Sequence, residues 1–162
     1  MSDSRSDAFK PGHHLPDLAF SAPDGSKIRL GDYYNRMNML LFWVGIDGIA
    51  CVEGLLAEIS EDMAGYRAEN AKILLILAGS KQHVAEAEKW RNLPFQVLAD
   101  PEGEAQLRMG LTSAGESMGA AACVVDRFGR ITFAWRDGRG EPPPTSAELL
   151  AQLRAIELEG PE

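Results

Sequence analysis

Cysteine is scarce in this chain, and one of its two copies stands where a thiol can react. Cys51 follows the apolar run Asn38-Met39-Leu40-Leu41-Phe42-Trp43-Val44 and the loop Gly45-Ile46-Asp47-Gly48-Ile49-Ala50. The run reads as a buried strand. The residues after Cys51 repeat at helical spacing. A thiol at a helix N-terminus meets free backbone N–H groups and the positive end of the helix dipole. Both favour thiolate, the nucleophilic form. Asp47 and Glu53 flank it, and carboxylates act the other way, raising a thiol pKa. The dipole, worth roughly 0.3–1 kcal/mol at an exposed site, does not replace a cation.

The remaining chemistry-bearing residues form no pattern. Cys123 lies far along the chain in an apolar segment, so there is no CxxC and no zinc-type spacing. It is either a small core residue or a second thiol for Cys51. Strand alternation puts residues 120 and 122 on one face and 123 on the other. His13 and His14 are adjacent on a loop, which gives poor geometry for one metal, and His83 falls on a helix. We expect no metal and no cofactor.

The elements that must hold Cys51 follow from hydrophobic periodicity. Asp17–Phe20 and Lys27–Leu30 read as a hairpin around the Pro23-Asp24-Gly25 turn. Met39–Val44 and Lys72–Ala78 are apolar throughout, as in strands covered on both faces. Val52, Leu55, Leu56, Ile59, Met63 and Tyr66 mark one face of a helix over 51–68. A helix is expected over 81–91, a short strand over 95–98 and a helix over 104–109 ended by Gly110. Ala121–Val125 and Arg130–Trp135 form a closing hairpin. Thr145-Ser146-Ala147-Glu148 is a capping box that opens a last helix. Strands alternating with helices predict an α/β fold with a mixed central sheet flanked by helices. Residues 1–10 read as a disordered tail and 11–158 as a single domain.

Composition narrows the function classes. With 16 Lys+Arg against 24 Asp+Glu the net charge is −8, and the basic residues form no stripe. This argues against nucleic acid and anionic membrane surfaces. No apolar run reaches the roughly 18–20 residues of a membrane span. The polar N-terminus has no signal-peptide pattern. Two cysteines are consistent with free thiols in a reducing, cytoplasmic setting.

Five blocks then carry a resemblance. They are Pro11-Gly12 through Leu15-Pro16-Asp17, Asp24-Gly25 with Leu30-Gly31-Asp32-Tyr33, Leu41-Phe42-Trp43, Leu93-Pro94-Phe95 with Leu98-Ala99-Asp100-Pro101, and Val124-Val125-Asp126-Arg127-Phe128-Gly129-Arg130-Ile131. In this order and spacing the chain resembles the peroxiredoxins of the alkyl hydroperoxide reductase / thiol-specific antioxidant group. That resemblance implies a thioredoxin-like fold with an N-terminal β-hairpin.

The resemblance also implies a site, and the chain departs from it. The family motif P-x-x-x-T-x-x-C, set on Cys51, places the threonine at Gly48 and the proline at Val44. The family arginine falls at about Ala120. The hydroxyl that would contact peroxide, the ring that shields the thiolate and the guanidinium that stabilises charge are all replaced. Position 56, where one subgroup keeps a resolving cysteine, is Leu56. The implied function is a thiol-dependent peroxidase of low activity. It would reduce hydrogen peroxide or organic hydroperoxides through Cys51 in a one-cysteine cycle. The reductant would be thioredoxin-like or a small thiol, and the family allows a homodimer. The alternative is a catalytically degenerate module that binds a protein or ligand, or a slow redox sensor.

Overall fold

The computed structural model describes residues 9–22, 26–45, 48–78, 94–100, 103–111 and 119–159. The helix expected over 81–91, with His83 and Trp90, lies outside them, as does the tail up to residue 8. Phe9, expected in that tail, is buried in the core.

Seven strands form one sheet. They are β1 (Ala19–Ser21), β2 (Lys27–Arg29), β3 (Asn38–Val44), β4 (Ala71–Ala78), β5 (Gln96–Asp100), β6 (Ala120–Val125) and β7 (Ile131–Arg136), in the spatial order β2-β1-β5-β4-β3-β6-β7. β3, β4 and β5 run parallel, while β1, β6 and β7 add antiparallel neighbours. The expected mixed sheet and N-terminal hairpin are both present. β3 sits centrally, and all seven of its residues are buried. Its alternate side chains feed two separate cores. Met39, Leu41 and Trp43 pack on one face with Phe20, Leu74, Ile76 and Cys123. Leu40, Phe42 and Val44 pack on the other with Val52, Leu56, Ile59 and Leu149. A strand covered on both faces has no polar side to show, hence its unbroken apolar run.

The helix expected over 51–68 is two. α1 spans Ile49–Glu61 and α2 spans Met63–Ala68, with Asp62 between them at φ −121°, ψ 28°. The Asp62 carbonyl accepts from the Gly65 and Tyr66 N–H groups, starting a new turn. Gly65, a weak helix former, eases the break. Tyr66 then reaches Ser146, its hydroxyl 2.8 Å from Ser146 Oγ. The capping box forms as expected. The Glu148 N–H donates to Thr145 Oγ1 at 3.1 Å, and the Thr145 N–H donates to Glu148 Oε1 at 2.8 Å. A short helix, α3, spans Glu104–Arg108, and the last, α4, spans Ser146–Glu159. Among the described residues no helix is long and apolar enough to cross a membrane.

Gly54 is exposed inside α1, and a Cβ there would meet nothing within 4 Å. Only its helix propensity then matters. Gly54→Ala is expected to stabilise the protein by about 0.5–1 kcal/mol. Urea denaturation checks this through a raised midpoint at unchanged slope.

Candidate active site

Strand β3 ends at Val44, and the chain crosses to α1 over the mouth of β6. Val44 pairs with Ala120, and the Gly45 N–H donates to the Gly119 carbonyl at 2.8 Å. Gly48 is the N-cap of α1 and offers no side-chain cap to the helix. Cys51 follows as the third helical residue, partly exposed, its side chain packed on the core that holds Val44 and Ala120. So Cys51, Val44, Gly48 and Ala120, which the sequence places together, are brought together. Leu56 is buried on the inner side of α1.

Gly48 is there for space. Its φ of −97° suits any residue. But a Cβ at this position would overlap the carbonyl carbon and oxygen of Gly119 and stand 2.9 Å from the Ala120 nitrogen. No side chain fits between these two backbones as they stand. The hydroxyl that the resemblance calls for is thus excluded by the packing of the loop.

Cys123 takes no part in this cluster. It is fully buried in the core on the opposite face of the sheet, as strand alternation predicts. Burial pushes its thiol up to about 12, with the Trp43 indole N–H offsetting this in part. That contact falls short of ordinary hydrogen-bond geometry, since Trp43 Nε1 has no such partner among the described residues. Trp43 itself packs edge-on against Phe20, with ring centroids 5.8 Å apart. Among the described residues no group of three His, Cys, Asp or Glu side chains gathers as a metal would need. His13 and His14 are exposed.

One residue of the cluster went unread in the sequence. Asp137, just past β7, donates its N–H to the Ala120 carbonyl at 2.9 Å. Its Oδ2 lies 2.8 Å from where a Gly119 Cβ would be. Its carboxylate lies close enough to the Cys51 thiol to act on its ionisation. Burial raises the Cys51 pKa first, and the nearby Asp137 carboxylate raises it further. The direction matches the expectation drawn from flanking carboxylates, but the group responsible is distant in sequence. Of the two flanking residues, Glu53 is exposed and Asp47 lies outside the described residues.

A β-bulge puts Asp137 there. β6 and β7 pair Val125 with Ile131, then Val124 with Phe133, a one-residue shift. Continued without the shift, the ladder would set Arg136 opposite Ala120. With it, Ala121 faces Arg136, and Asp137 takes the place opposite Ala120. Arg136 turns away and donates to the Leu111 carbonyl at 2.8 Å.

Comparisons with known proteins agree with this architecture. The profile of the AhpC/TSA family matches residues 11–134. No curated protein matches the chain. Among solved structures, the peroxidoxin BcpB of Mycobacterium tuberculosis superposes with a TM-score of 0.74 at 18% identity, covering 91% of this chain and 98% of that one. AhpC of the same organism gives 0.75 at 17%, covering 93% and 94%. Peroxiredoxin Q of Xanthomonas campestris gives 0.69 at 15%, covering 92% and 98%. The fold is the thioredoxin-like peroxiredoxin fold, with its mixed seven-stranded sheet.

Proposed function

The chain belongs to the AhpC/TSA family, and from that premise we propose that it is a slow thiol-dependent peroxidase acting through Cys51. The observation that carries the reading is the placement of this thiol: partly exposed, in the first turn of α1, beyond the end of the central strand. The Cys51 thiolate attacks one peroxide oxygen. A sulfur–oxygen bond forms, the O–O bond breaks, and the alcohol or water leaves after taking a proton. Cys51 is left as sulfenic acid. An external thiol then displaces water to give a mixed disulfide, and a second thiol restores Cys51. Cys123 lies across the sheet and Leu56 carries no sulfur, so a one-cysteine cycle with an external thiol fits best. A reducing compartment supplies that thiol.

Slowness follows from the surroundings. Ala120 brings no guanidinium, Gly48 brings no hydroxyl, and Asp137 disfavours thiolate. Because the Cys51 pKa is raised, thiolate is the minor form at neutral pH. Its fraction grows about tenfold per pH unit until the pKa is reached. Peroxide consumption with dithiothreitol, corrected for the reductant alone, is therefore expected to be low at pH 7 and to climb with pH. Cys51→Ser is expected to abolish it. Equal consumption by the variant, or none above background at any pH, would overturn the reading.

A further inference from the structure

We propose that Asp137 is the specificity-determining residue of this site, admitting neutral and cationic peroxides and thiols to Cys51 and turning away anionic ones. The proposal rests on the peroxidase reading for the reaction that Cys51 performs, but its physical basis is the charge beside the thiol. Where the resemblance calls for a guanidinium, the chain presents Ala120, buried and neutral. The bulge between β6 and β7 brings a carboxylate to that end of the strand. Two contacts hold it there: the Asp137 N–H is tied to the Ala120 carbonyl, and its Oδ2 lies over the bare α-carbon of Gly119, whose backbone abuts Gly48, three residues before Cys51.

Gly119 is part of the same construction. Any side chain at 119 would meet the carboxylate at 2.8 Å, so the absence of one leaves Asp137 room over the start of β6. Among the described residues the other charges on the elements around Cys51 are few. Glu53 is exposed on α1 itself, and Arg139 and Glu141 are exposed on the segment after β7. β6 contributes only apolar side chains. Arg136, the cation adjoining Asp137, donates to the carbonyl of Leu111, a residue of the core on the face of the sheet opposite Cys51. Among the described residues the fixed charge that acts on the thiol is therefore negative, in a protein whose net charge is −8. An incoming carboxylate, as on a fatty-acid hydroperoxide or an acidic peptide thiol, meets like charge at the reacting sulfur. A neutral peroxide does not, and an amine-bearing thiol is drawn in.

Two methanethiosulfonate reagents that differ only in charge test this on the full chain. One carries a trimethylammonium group and the other a sulfonate. In each case Cys51 Sγ bonds to the reagent's sulfenyl sulfur, the reagent's S–S bond breaks, methanesulfinate leaves with the electron pair, and the thiol proton goes to water. Both reactions consume the same thiolate, so the ratio of their rates cancels its concentration and reports the local charge. Labelling at Cys51 is followed by mass spectrometry. At low salt, Asp137→Asn is expected to lower the cation-to-anion ratio by about tenfold, the scale of one unit charge near contact in a wet site. Asp137→Glu should keep the wild-type ratio. About 1 M salt should shrink the difference, because Asp137 is exposed and screened. An unchanged ratio in Asp137→Asn at low salt, or a loss equally large in Asp137→Glu, would overturn the proposal. The labelling uses no peroxide. A protein inert to peroxide can still show the charge effect, and an active peroxidase can fail to show it.

Discussion

Gly48→Thr, which writes the family's threonine back into the motif, is expected to cost about 3 kcal/mol or more in stability and to gain no peroxidase activity. The new Cβ would overlap the Gly119 carbonyl, and that carbonyl is fixed. It accepts from the Gly45 N–H at 2.8 Å, and the next residue, Ala120, pairs with Val44 in the centre of the sheet. Relief requires α1 to slide or the start of β6 to move. Overpacking against mobile side chains costs about 1–3 kcal/mol, and collision with hydrogen-bonded backbone belongs at or above the top of that range. For a chain of this length a loss of 3 kcal/mol lowers Tm by about 6–12 °C. Gly119→Ala is the useful contrast. There the contact is with the Asp137 side chain, which can swing out, so its loss should be much smaller. Thermal and urea unfolding of the two variants decide the matter. A Gly48→Thr protein as stable as wild type, or one that consumes peroxide faster, would show that the loop opens more readily than its geometry says. The departure from the motif is then not a single missing hydroxyl. The backbone has closed over the space where the hydroxyl would stand.

What was legible in the sequence, and what was not, divides along the same line. The two central strands announced themselves because burial on both faces leaves no polar alternation. The last helix did so because Thr145 and Glu148 carry their own reciprocal hydrogen bonds. The opposite facing of Ala120 and Cys123 followed from the two-residue period of a strand. Each of these is a local rule. The break at Asp62 was not legible, because the apolar face runs on through Met63 and Tyr66 while the kink depends on Gly65 and on the distant Ser146. Asp137 was not legible for a sharper reason. Its place opposite Ala120 depends on one extra residue in a ladder, and no residue type in Thr132-Phe133 marks a bulge. An unbulged hairpin would bring Arg136 to the same place. The sign of the charge beside Cys51 thus turns on a register shift, and register is a property of the pairing rather than of either strand alone.

In mildly alkaline solution the wild-type protein is expected to lose stability at about 1.4 kcal/mol per pH unit through Cys123 alone. In the unfolded chain a thiol titrates near pH 8.5. In the folded protein burial pushes Cys123 up to about 12. Below about pH 8.5 the thiol is neutral in both states, and the favourable burial of that neutral form is fully present. Above it the unfolded chain gives up a proton that the folded one keeps. Unfolding therefore becomes more favourable with each unit of pH until the folded thiol ionises. Tyr34, also pushed up to about 12 by burial, adds to the loss only above its ordinary value of 10.0 and, being half-exposed, adds less. Cys51, also raised by burial and by Asp137, adds a slope of its own, so in the window from about pH 9 to 10 Cys123 is isolated as the difference between wild type and a Cys123 variant. Cys123→Ala should be less stable than wild type at pH 7, by about 1 kcal/mol for the small void left. Its stability should then fall less steeply than that of wild type across that window, by the share that Cys123 contributes, so the two curves converge. Urea denaturation under reducing conditions at pH 7, 9 and 10 reads this directly. Parallel curves would mean that Cys123 ionises in the folded state and is open to solvent. A thiol held neutral to that pH is no nucleophile in the native protein. Native-state alkylation should accordingly mark Cys51 and leave Cys123 until the chain unfolds, which is why a resolving role for it would require the sheet itself to come apart.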